Sequence, residues 1–167
     1  HFPDGEAWMD GLLGNVQNSL GRKLTNGTYT MKEQVSHVLG DLTDYLVEHA
    51  EQYKIDTNNV YVMGRSAGGH LTACFLGRQG TYKSIFNPRL KIRGLIPFYG
   101  PANITDLYLT HSKDPVGKRI NLASLMEQMI GGTPGEDPEL YEEVSPVYMV
   151  DENAPPVLIL HGGGDNM

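Results

Sequence analysis

Apolar residues recur along this chain in two rhythms. From residue 31, Met31, Val35, Val38, Leu42 and Leu46 return every three to four places, the spacing of one helical face. Thr30-Met-Lys-Glu33 forms a capping box at the start of that run, so the pattern predicts a helix to about residue 52. Asp56-Thr-Asn-Asn59 is turn chemistry, and Val60 to Met63 is a short apolar run that predicts a strand. A second helix is predicted from about Ala67 to Leu76, stopped by Gly77. After a polar connection over 78–90, Ile92 to Phe98 predicts a second strand and Val157 to Leu160 a third. Between them lies a long excursion, 101–155. It holds one well-patterned helix (Leu122, Leu125, Met126, Met129, Ile130, stopped by Gly131-Gly132) and a Pro/Glu-rich stretch. Residues 1–29 are rich in Gly and Asn and read as loop, with a short helical stretch near Trp8 to Val16.

Strands alternate with helices, and the first and third strands are apolar without alternation. That pattern predicts an α/β fold with a mostly parallel sheet and helices on both faces. Three strands are few for such a sheet, whose bare edges are a liability. The chain begins at His1 and stops within a loop. We therefore expect residues 1–167 to be one partial domain, with 101–155 a cap-like excursion between strands.

Composition narrows the partners. The 167 residues carry 13 basic and 20 acidic side chains, a net charge of −7 that argues against a nucleic-acid or anionic-membrane partner. No apolar run is long enough for a transmembrane segment. The single Cys74 excludes an internal disulfide and leaves the compartment unassigned. Asn26-Gly27-Thr28 and Asn103-Ile104-Thr105 match the glycosylation triplet, a pattern that arises often by chance.

Chemistry enters at Gly64-Arg65-Ser66-Ala67-Gly68. The stretch fits G-x-S-x-G between a predicted strand and a predicted helix, the context in which that motif acts as a nucleophile elbow. The tight turn strains the serine and lifts its hydroxyl above the sheet. Gly64 and Gly68 are read as glycines because backbone passes close by. The Ala67 N–H at the helix start is read as an oxyanion donor. The plainer reading is a serine N-cap on a glycine-rich turn. At the far end, His161-Gly162-Gly163-Gly164 fits an oxyanion-hole loop, while His161-Gly162-x-x-Asp165 fits the loop that bears a triad acid. No H-E-x-x-H, C-x-x-C, G-x-G-x-x-G or P-loop is present, so no metal or cofactor is assigned.

"VYVMGRSAGGHLTA", "IRGLIPFYGP" and "VSPVYMVDENAPPVLILHGGGD" resemble, in order, the alpha/beta-hydrolase carboxylesterases. The hormone-sensitive-lipase-like and feruloyl-esterase-like branches are the nearest in pattern. The resemblance runs from about residue 31 to 167, and "HFPDG" resembles the segment after that family's fourth strand. In that family the oxyanion loop precedes the nucleophile and the acid follows it. The resemblance therefore implies Ser66 as nucleophile and Asp165 as triad acid. It further implies that the histidine base lies beyond the C-terminus and the second oxyanion donor before His1. On that reading the chain by itself hydrolyses esters poorly.

The resemblance implies a serine hydrolase cleaving small carboxylic esters, plant-derived acetyl or feruloyl esters among the candidates, through an acyl-enzyme. An arylformamidase-like amide hydrolase resembles the same branch. A catalytically dead small-molecule receptor is known on the same fold. Tyr99, at the edge where α/β proteins bind ligands, is a candidate lining of the substrate pocket. Arg65 is read either as tuning the rim of the site or as a partly buried structural residue. His70 is read as packing or hydrogen bonding near the elbow, and His161 as satisfying backbone groups before the acid loop.

Overall fold

A computed structural model of the chain describes residues 31–79, 86–113 and 121–165. The expectations for Trp8 to Val16, "HFPDG", the Thr30 cap and the Asn26 triplet lie outside those residues.

The first helix forms as α1 (Met31–Glu48), and a separate turn, α2 (Ala50–Tyr53), follows it. The predicted single helix to residue 52 is thus divided at His49. The His49 Nδ1 lies 2.9 Å from the Tyr45 carbonyl oxygen and the two rings stack at 4.1 Å. Lys54, at φ 56°, closes α2 in the left-handed region. Among the side chains described in α1, from residue 39 on, the buried row is Leu39, Thr43 and Val47, one place along from Leu42 and Leu46, which are half-buried. Thr43 tolerates burial because its hydroxyl donates to the Gly40 carbonyl (3.0 Å) and accepts from the Asn87 N–H (3.1 Å).

The first strand, β1 (Val60–Arg65), runs two residues further than its apolar stretch, so Gly64 and Arg65 belong to the strand. Ser66 alone makes the turn into α3 (Ala67–Cys74). Gly77 does not stop this helix. The chain tightens instead into a 3₁₀ turn, Phe75–Gln79, which carries through it. The second strand, β2 (Ile92–Phe98), has the predicted bounds and pairs with β1 in parallel. Arg93 is the extra residue at a bulge: Val60 faces Ile92, while Tyr61 faces Gly94.

The third strand is present as a ladder rather than as a fully regular strand. Leu95 and Phe98 bridge in parallel to Val157 and Leu160. The Leu95 N–H donates to the Pro156 carbonyl (3.0 Å), Leu158 N–H to Leu95 (2.9 Å) and Leu160 N–H to Pro97 (3.1 Å). β2 is therefore central, with β1 on one side and 157–160 on the other.

One core forms where α1 and α3 meet the sheet: Leu39, Cys74, Phe75, Leu76, Leu95 and Met149, with Val62 and Ile92 against them. On the other side of β1, Tyr61 and Met63 are 65% and 66% exposed among the described residues. The 101–155 stretch has its own core. It contains α4 (Ile104–His111), α5 (Leu122–Ile130) and α6 (Pro138–Glu143). Ile104, Met126, Ile130, Tyr141 and Val144 pack together there. Ser145, fully buried, ties it down by donating to the Tyr141 carbonyl (2.7 Å) and accepting from the Ile104 N–H (2.9 Å). Gly131, at φ 104°, ends α5 as its sequence predicts. Asn103 is the N-cap of α4, accepting from the Asp106 N–H and donating to the Asp106 carboxylate. Among the described residues no helix is long and apolar enough to cross a membrane.

Candidate active site

The carboxyl ends of the three strands lie side by side because backbone hydrogen bonds fix them there. The Ser66 N–H donates to the Phe98 carbonyl (3.0 Å), and the Tyr99 N–H donates to the Leu160 carbonyl (2.7 Å). Ser66, Tyr99 and the 161–165 turn are thus brought to one edge of the sheet. Two strand spacings separate Ser66 from the start of that turn, about 10 Å.

Ser66 has φ 53° and ψ −123°, a conformation rare for any residue with a side chain. It stands at the N-cap position of α3, yet its side chain makes no capping hydrogen bond, and the residue is exposed. The plain N-cap reading therefore does not describe it. Ala67 opens α3, where backbone N–H groups have no carbonyl one turn earlier within the helix. The His70 N–H is the first to close back, onto the Ser66 carbonyl (3.0 Å).

The glycines of the elbow divide. A Cβ on Gly64 would stand 2.2 Å from the Gly68 carbonyl oxygen and 2.7 Å from Thr72 Oγ1. Nothing lies within 4 Å of a Cβ on Gly68, so its expected steric role does not hold. What Gly68 contributes to the close approach is its own carbonyl. The tight contact missed in the sequence pairs Gly69 with Gly100. A Cβ on Gly100 would stand 2.4 Å from the Gly69 carbonyl carbon and from the His70 nitrogen. The signal was the repeated glycine after the elbow, but only the fold identifies its partner.

Tyr99 is 41% exposed and adopts φ 36°, a second strained backbone at the same edge. Arg65 is exposed at the end of β1, which removes the reading as a partly buried structural arginine. His70 turns away from Ser66 into the interior. Its Nε2 lies 2.7 Å from the Val144 carbonyl oxygen and 3.6 Å from Cys74 Sγ. Burial holds His70 below the ordinary imidazole range, an effect the Val144 bond partly offsets. Burial also pushes the Cys74 thiol up to about 12.

His161 Nε2 lies 3.4 Å from Asp165 Oδ2, with the two side chains 43% and 26% exposed. His161 was expected to satisfy backbone groups; it faces the carboxylate instead. The loop doubles back because the Asp165 N–H donates to the Gly162 carbonyl (3.1 Å). Among the described residues no three His, Cys, Asp or Glu side chains gather closely enough to hold a metal ion.

Comparison with known proteins places these features in context. Residues 26–167 match the sequence profile of the BD-FAE family. The chain is 28% identical over 123 residues to the probable carboxylic ester hydrolase LipM of Mycobacterium tuberculosis, covering 71% of this chain and 27% of that protein. It is 28% identical over 114 residues to the uncharacterized peptidase YtmA of Bacillus subtilis, covering 66% of this chain and 37% of that one. The chain thus spans only between 27% and 37% of the length of these two relatives. A truncated form of a carbohydrate esterase from gut microbiota superposes with a TM-score of 0.58 at 25% identity, covering 80% of this chain and 50% of that structure.

Proposed function

This chain belongs to the BD-FAE family of alpha/beta-hydrolase carboxylic ester hydrolases, and from that premise we propose that Ser66 is its nucleophile and Asp165 its triad acid. The observation that carries the reading is the Ser66 backbone. A strained, exposed serine that caps nothing, set between a strand end and a helix start, is what an elbow requires. Asp165 is supported by its turn, which lies at the same sheet edge two strands away.

In the proposed reaction Ser66 Oγ attacks the ester carbonyl carbon while a histidine takes the hydroxyl proton. That histidine follows Asp165 in the longer protein, in the family's order. The negative oxygen is held by the Ala67 N–H and by a second donor that precedes His1. The ester C–O bond breaks, the histidine proton passes to the leaving alcohol, and water releases the acid from the acyl-serine. Tyr99, exposed between Ser66 and the acid turn, lines the acyl side of the pocket. The excursion over 101–155, with its own small core, is read as cap-like. The likeness to a carbohydrate esterase favours esters carried on carbohydrate, acetyl or feruloyl groups among them.

One experiment tests the reading: hydrolysis of p-nitrophenyl acetate by the full-length protein and by its Ser66→Ala variant. Loss of turnover in the variant is the expected result, and activity that survives Ser66→Ala removes the reading. The likeness to a protein named as a peptidase keeps amide hydrolysis as the second reading. Faster turnover of p-nitroacetanilide than of the ester would favour it. Tight binding of a small acid or ester by an inactive parent would favour a receptor.

A further inference from the structure

We propose that His70 is a positioning residue for the nucleophile. Its imidazole ties the glycine-rich first turn of α3, which carries Ser66 and the Ala67 N–H, to the Val144 carbonyl. The inference rests on the nucleophile reading above. Its foundation is one buried residue that bonds at both ends. The His70 backbone N–H donates to the Ser66 carbonyl (3.0 Å), and its ring Nε2 lies 2.7 Å from the Val144 carbonyl oxygen. A carbonyl only accepts, so Nε2 carries the proton and donates.

The first turn of α3 is poorly equipped to hold its own shape. Two of the three residues after Ser66 are glycines, Gly68 and Gly69. Glycine forms helix weakly and gives the backbone its widest range. Ser66 meanwhile keeps φ 53°, a strained value that persists where the surroundings over-determine it. On the strand side the Phe98 carbonyl fixes the Ser66 N–H. On the helix side the Ser66 carbonyl is bonded to the His70 N–H, so it follows wherever His70 is held. The contact of Gly69 with Gly100 stops the turn from moving closer to β2. A steric stop does not prevent movement away; a hydrogen bond to a fixed acceptor does.

That acceptor is fixed. Val144 is the C-cap of α6 and packs with Ile104, Met126, Ile130 and Tyr141. Beside it, Ser145 donates to the Tyr141 carbonyl (2.7 Å) and accepts from the Ile104 N–H (2.9 Å), and the Val147 N–H donates to the Ala102 carbonyl (3.0 Å). The excursion thus leaves and returns through one pinned segment, and His70 bonds the elbow helix to it. The consequence falls on aim. A misplacement of about 1 Å in a reacting group costs on the order of 10²-fold in rate, and an oxyanion donor acts only at the right distance.

The test uses the full-length protein with p-nitrophenyl acetate, below the thermal midpoint of every form. His70→Ala should lower kcat by about 10- to 100-fold, with KM close to the parent's. His70→Asn, polar but too short to reach Val144, should match it and covers the case in which the alanine variant does not fold. His70→Gln, whose amide N–H reaches the Val144 carbonyl, should recover most of kcat although its midpoint stays below the parent's. Thr43→Ala is the control: it loses the bonds to Gly40 and Asn87 on α1, so its midpoint should fall while kcat stays at the parent's value. Parent-like kcat in His70→Ala or His70→Asn overturns the proposal. So does an equal loss of kcat in Thr43→Ala, which would make the effect one of general stability. A loss in all three His70 variants as deep as in Ser66→Ala overturns it too, because the imidazole itself would then be required. Activity surviving in Ser66→Ala would instead defeat the nucleophile reading, and this proposal with it.

Discussion

Gly69 and Gly100 meet backbone to backbone, so the start of α3 lies directly against the end of β2. A Cβ on Gly69 would stand 2.7 Å from the Phe98 carbonyl oxygen, and one on Gly100 2.4 Å from Gly69 itself. The contact lets the helix that begins after Ser66 approach the strand whose Phe98 carbonyl accepts the Ser66 N–H. Neither partner is a flexible side chain, so neither can yield.

Gly100→Ala should therefore destabilise the protein by about 3 kcal/mol, at or above the upper end of ordinary overpacking. Gly68→Ala provides the contrast. Its methyl group meets nothing within 4 Å, and alanine gains roughly 0.5–1 kcal/mol over glycine within a helix. Urea unfolding of the two variants beside the parent checks the pair. Equal losses in both would mean that the close approach of Gly69 and Gly100 does not govern stability.

The strain at Ser66 predicts a trade of stability against activity. Its φ of 53° with ψ −123° costs about 1–3 kcal/mol in a residue with a Cβ and almost nothing in glycine. Glycine adds about 0.4–1 kcal/mol of unfolded-chain entropy, which is the smaller effect. Ser66→Gly should thus unfold at a higher denaturant concentration than Ser66→Ala, while both lose at least about 10³-fold in esterase turnover. A Ser66→Gly variant less stable than Ser66→Ala would show that the turn is not strained.

Local pattern made some of this fold legible and tertiary contact hid the rest. The bounds of β2, the strand–turn–helix around Ser66 and the glycine stop of α5 follow from apolar runs and backbone preference, which act within a few residues. The buried row of α1 shifts to Leu39, Thr43 and Val47 because Thr43 finds its partner in Asn87, 44 residues away. Gly100 carries no mark of Gly69, and His70 gives no sign that Val144 receives it, 74 residues on. His161 and Asp165 were both visible as motif letters. Only the turn closed by Gly162 brings one to face the other.

Cys74 lies within the main core at 0% exposure, its thiol pushed up to about 12 by burial. At pH 8 about one part in 10⁴ would be thiolate, and the thiolate is the reactive form. Iodoacetamide at pH 8 should leave Cys74 unlabelled in the native protein and label it in 6 M guanidinium, as read by peptide mass spectrometry. Native labelling at the unfolded rate would contradict its burial.

His70 makes stability depend on pH, with a sign set by its environment. Burial lowers its pKa from the ordinary 6.5, although the bond to the Val144 carbonyl partly offsets this, so the unfolded chain takes up a proton more readily than the folded one. Above pH 6.5 both states are neutral at this site and its contribution is fully present. As pH falls below 6.5 the unfolded state gains protons first, and stability declines until the folded imidazole also titrates. His70→Gln keeps an N–H donor in reach of the Val144 carbonyl but cannot titrate. Its urea midpoint should start lower than the parent's at pH 7.5, because its shape fits the site less well. From pH 7 to 5 it should then fall less steeply than the parent's. Carboxylates that titrate in both proteins cancel in that comparison, so the difference in slope belongs to His70. Parallel pH profiles would show that the buried imidazole is not the group that senses acid.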